Sequence, residues 1–68
     1  MNCLEMRPGR YYMHRRHLYK TDGLSWWRRP FDVWSGRYLP IWEKVWFDDI
    51  RDLDFEAVEP GTRFGVLP

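Results

Sequence analysis

A mainly β domain is predicted: a small antiparallel sheet of four or five strands, or an SH3-like barrel, with one short helical turn. Three observations carry this. Aromatic and β-branched residues come in short runs of strand length. Turn chemistry punctuates them at Arg7-Pro8-Gly9, Asp22-Gly23 and Ser35-Gly36. A helical apolar stripe competes with strand alternation only over residues 40–53.

Residues 1–8 lead into the sheet as a lightly docked end, closed by the Arg7-Pro8-Gly9 turn. Residues 10–19 read as one strand, with Tyr11, Met13, Arg15, His17 and Tyr19 on one face and Tyr12, His14, Arg16 and Leu18 on the other. Neither face is cleanly apolar. Lys20-Thr21-Asp22-Gly23 turns the chain into a second strand over 24–29. There Trp26 and Arg28 share one face and Trp27 and Arg29 the other, so at most one of the two rings lies fully in the core.

Ser35-Gly36 reads as a two-residue hairpin turn between Phe31–Trp34 and Arg37–Leu39, because the second residue accepts positive φ. Pro30 and Pro40 flank the hairpin and belong at strand ends or edges, since neither donates to a ladder. Over 40–53 the preferred assignment is a strand at about 41–47 followed by a helical turn at 48–53 capped by Asp48. The alternative is an α+β domain with a helix near 40–53, Pro40 in its first turn. Leu53–Val58 alternates as a final strand with Leu53, Phe55 and Ala57 facing in. Pro60-Gly61 ends it, and residues 61–68 form a second lightly docked end of a single domain spanning 1–68.

All five tryptophans lie between residues 24 and 47, so this stretch is expected to supply the core, with Trp34 and at least one of Trp42 and Trp46 buried. A chain of 68 residues buries only about 60% of the surface its unfolded form exposes and relies on such aromatic mass.

Function classes narrow by elimination. Cys3 is alone, which rules out an intramolecular disulfide and suits a reducing compartment. The N-terminal residues lack the apolar run of a signal peptide, and no apolar run is long enough to span a membrane, so a cytoplasmic protein is expected. On a single strand, His14 and His17 would point to opposite faces, a poor ligand geometry, and no metal site is expected. Asp48, Asp49, Asp52 and Asp54 lack the spacing of a calcium loop. No activated hydroxyl and no glycine-rich phosphate loop is present, so neither an enzyme nor a cofactor is expected.

What remains is an uneven distribution of charge. Residues 1–38 carry eight basic against three acidic side chains, a net +5, and residues 39–68 carry three against seven, a net −4. Nine of the eleven basic residues are Arg, the cation that with Trp and Tyr dominates interface hot spots. The favoured function is therefore binding to another protein through Arg15, Arg16, Trp26, Trp27, Arg28 and Arg29. The chain would act as a small accessory or inhibitory module of the kind a phage or mobile element encodes. One rival is a nucleic-acid-binding module that uses the same Arg/Trp residues to stack on bases and pair with phosphates. Another is a structural subunit that forms homo-oligomers through its aromatic surface.

Overall fold

A computed structural model of the chain describes residues 1–59. The architecture is mainly antiparallel β, as the sequence predicts. Seven short strands form two sheets: β1 (Tyr12–His14), β2 (His17–Thr21), β3 (Trp26–Arg29), β4 (Phe31–Asp32), β5 (Arg37–Tyr38), β6 (Glu43–Val45) and β7 (Glu56–Ala57). A 3₁₀ turn at Cys3–Glu5 and a one-turn helix α1 at Phe47–Ile50 complete the described residues. The main sheet runs β6-β3-β2-β1-β7, and β4 pairs with β5 as a separate arm. Among the described residues the sheet has open edges at β6 and β7 and does not close into a barrel. The alternative helix over 40–53 gives way to β6 followed by the single turn of α1.

The residues expected to make one strand over 10–19 instead make a hairpin. Arg15 and Arg16 both have positive φ, 49° and 71°, the signature of a two-residue turn, and His14 pairs directly with His17. The reversal overturns the predicted faces. Tyr12, His14, His17 and Tyr19 share one face, and Met13 and Leu18 share the other. The two histidines are therefore neighbours rather than on opposite sides.

Cross-strand register gathers the core on the first of these faces. Tyr12 and Tyr19 pair there, with Trp26 opposite Thr21 and Val45. Cys3 and Met6 from the N-terminal segment, Ile50 from α1, and Phe55 close over them. The Tyr19 and Phe55 rings meet edge to face, with centroids 4.9 Å apart. The N-terminal segment, read from sequence as lightly docked, thus places two residues in the core. Its first residue is tied to the chain before β7: the Met1 amino group donates to Asp54 at 2.6 Å, and the Phe55 amide donates to the Met1 carbonyl at 2.7 Å. The expected C-terminal end at 61–68 lies outside the described residues.

Of the five tryptophans only Trp26 packs against the core, and none is fully buried. Trp34 is 94% exposed and Trp46 65%, while Trp26, Trp27 and Trp42 are half-buried. The Ser35-Gly36 hairpin exists, with Gly36 at φ 69°, but its loop holds four residues, 33–36. Asp32 explains the difference. Its carboxylate accepts the Trp34 N–H at 3.0 Å and its carbonyl accepts the Gly36 N–H at 2.8 Å, so Val33 and Trp34 leave the strand and become the tip. Asp48 does not cap α1. Trp46 occupies the cap position in extended conformation without a side-chain hydrogen bond, and Asp48 and Asp49 fill the first turn, where the helix dipole favours acids.

Candidate binding surfaces

The six residues expected to bind a partner are spread over both faces of the sheet and one hairpin tip. Arg15 and Arg16 are the exposed β1–β2 turn, and the Arg16 guanidinium lies 5.6 Å from the centre of the Phe31 ring. Trp26 turns toward the core, its indole N–H donating to the Cys3 carbonyl at 3.2 Å. Arg28 shares that face and is held by Glu43, Nη2 to Oε1 at 2.6 Å, so its charge is already matched. Trp27 and Arg29 lie on the opposite face. Arg29 is only 5% exposed and its Nε donates to the Leu39 carbonyl at 2.7 Å. Strand alternation separates residues that are adjacent in sequence, and of the four arginines only Arg15 and Arg16 are exposed.

Two other surfaces come together instead. The first is the β4–β5 arm. Phe31 and Tyr38 pair edge to face across it with ring centres 5.2 Å apart, and Arg16 covers Phe31 from the neighbouring hairpin. This base presents Val33 and Trp34 at the tip. The arm is anchored to the sheet partly through His17, whose Nδ1 accepts the Phe31 N–H at 3.0 Å. Accepting that bond requires a neutral ring with the proton on Nε2. Burial, and then the nearby Arg28 and His14, hold the His17 pKa below the usual value for histidine, in keeping with that state.

The second surface is the open part of the sheet face opposite the core. Lys20, Trp27 and Lys44 form one cross-strand row over β2, β3 and β6. Trp42 folds over this row from the loop before β6. It stacks on Tyr11 with centroids 5.9 Å apart and planes 9° off parallel, and the Lys20 ammonium sits 4.3 Å from its ring centre. A groove of about 330 Å³ opens between Trp27 and Trp42, with Lys20, Thr21 and Asp22 completing its walls. Lys44 in turn lies 4.9 Å from the Trp46 ring centre.

Sequence reasoning named Arg15, Arg16 and Trp27 but assigned Trp34 and Trp42 to the core candidates, and so missed the tip of the first surface and the partners of Trp27 on the second. The signal for the first was Asp32, an acid two residues before Trp34 that can accept a loop amide. The second depends on the pairing of β2, β3 and β6 and on Trp42 folding back over them, which no local signal in the chain announces.

No histidine, cysteine or carboxylate cluster of three or more suited to a metal occurs among the described residues. No helix among them is long and apolar enough to cross a membrane. Cys3 is buried, and burial raises the pKa of its thiol, which keeps it protonated and unreactive. Comparison with known protein families, curated proteins and solved structures finds no match to this chain.

Proposed function

We propose that this chain is a small cytoplasmic module that binds another protein, and that the β4–β5 arm provides the anchor. The observation that carries the reading is Trp34, exposed to 94% on a loop braced from both sides. A bare indole held on an ordered arm adds nothing to the core, yet brings a large apolar area to any surface that covers it. Trp flanked by Arg is the composition of an interface anchor, and Val33, Arg15, Arg16 and Arg37 are exposed on the arm and the turn beside it. Trp27 offers a further contact on the opposite sheet face. A chain of this size without a catalytic constellation in its sequence suits an accessory or inhibitory role, as in a phage or other mobile element. The lone buried thiol supports the cytoplasmic part of the reading.

Capture of a partner from a nuclease-treated lysate tests this. Binding should survive nuclease and fall at least thirtyfold with Trp34→Ala, the roughly 2 kcal/mol or more of a hot-spot truncation. Capture that is indifferent to Trp34 would move the interface elsewhere. Self-association through the exposed rings is the competing reading, and a sizing column run at several concentrations separates the two: a mass that rises with concentration and reverts with Trp34→Ala would assign the arm to a second copy.

A further inference from the structure

We propose that the open sheet face carries a second site, independent of the β4–β5 arm, which takes single-stranded nucleic acid. The geometry is a stacking platform between cations. Trp27 is flanked in register by Lys20 on one neighbouring strand and Lys44 on the other. Both ammonium groups are steered by tryptophan rings, Lys20 over Trp42 and Lys44 over Trp46, and neither takes part in a salt bridge among the described residues. The groove between Trp27 and Trp42, about 330 Å³, is of a size to admit one planar base.

The parts match what an unpaired strand needs. A base has a π-face for Trp27, whatever its identity, and phosphates on either side of it meet Lys20 and Lys44. Trp42, set parallel to Tyr11, forms the other wall of the groove. A duplex stacks its bases on one another and leaves base faces open only at its two ends, so the site should prefer single strands. Asp22 borders the groove, but its Oδ1 accepts the Leu24 and Ser25 N–H groups at 2.8 and 2.7 Å, which spends much of that charge on the turn. Of the four arginines expected to serve nucleic acid, none takes part: Arg28 is paired with Glu43, Arg29 is buried, and Arg15 and Arg16 form the β1–β2 turn.

The test is fluorescence anisotropy of a labelled oligouridylate of about 12 nucleotides, within the site sizes of small single-strand binders. At about 50 mM salt, half-saturation should fall at roughly 1–100 µM, with weaker binding of a duplex of equal length. Trp27→Ala should lower affinity roughly five- to a hundredfold. Because Trp27→Ala also removes half-buried area, the Lys20→Gln/Lys44→Gln double variant is the second arm. It should keep the circular dichroism of the parent and flatten the dependence of log affinity on log salt by about 1.4, two phosphate contacts at roughly 0.7 each. Trp34→Ala should bind the oligonucleotide like the parent. No binding up to about 1 mM, equal affinity for the duplex, or a salt slope unchanged in the double variant would overturn the proposal.

Discussion

Trp34 and Phe55 are aromatic residues with opposite roles. Phe55 is buried against Tyr19 and the N-terminal segment, whereas Trp34 stands in solvent on a loop. Phe55→Ala should therefore cost about 3–5 kcal/mol, enough to unfold a domain of this size, while Trp34→Ala should change stability by no more than about 0.5 kcal/mol. Urea melts of the two variants check both at once. A destabilised Trp34→Ala would mean that the ring packs against the molecule. His17 makes a third contribution of this local kind. Its folded pKa is depressed, so between the ordinary histidine value of about 6.5 and the lower folded value the unfolded chain binds more protons. Stability should be full above about pH 6.5 and fall as the pH drops through that window, because protonated Nδ1 can no longer accept the Phe31 N–H. His17→Gln, which retains an acceptor without titrating, should flatten that part of the pH profile of the urea midpoint.

Among the elements, the β1–β2 hairpin is held in the register on which the core depends by a turn its residues do not favour. Arg15 and Arg16 both occupy the left-handed region, at a cost of roughly 1–2 kcal/mol per residue for a side chain with a Cβ. Tyr12–Tyr19 pairing on the buried face outweighs it. Replacing the pair by Asn-Gly, which prefers this turn, should stabilise the domain by roughly 1–2 kcal/mol without altering the sheet. A higher thermal midpoint with unchanged circular dichroism is the expected result. The same replacement removes two exposed arginines beside the β4–β5 arm, so any loss of partner capture that accompanies the gain in stability would place Arg15 and Arg16 in the interface.

Across the whole molecule, the closure of the fold depends on its first six residues. Cys3 and Met6 cap the core face, and Met1 exchanges hydrogen bonds with Asp54 and Phe55. Deleting residues 1–6 uncovers Tyr12, Tyr19 and Phe55 together, and should abolish the cooperative thermal transition. Retention of that transition would show that the sheet and α1 suffice.

The β character, the three turns and the strand followed by a helical turn over 41–53 were all legible in the chain, because they rest on local preferences. Gly9, Gly23 and Gly36 stand at positive φ where the turn dipeptides place them. Which aromatic residues form the core was not legible. A Trp has the same apolar area wherever it falls, and its burial depends on register. A two-residue turn at Arg15-Arg16, with no glycine or asparagine to announce it, reverses the faces of everything that follows in the strand. Asp32 lengthens the next turn and carries Trp34 outward. Alternation within β3, legible in the sequence, parts Trp26-Trp27 and Arg28-Arg29 to opposite faces, but only the pairing of β2, β3 and β6 and the fold-back of Trp42 bring Tyr11, Lys20, Trp27, Trp42 and Lys44, distant in sequence, onto one. Local propensity determines where the chain turns, and long-range pairing determines what each face presents.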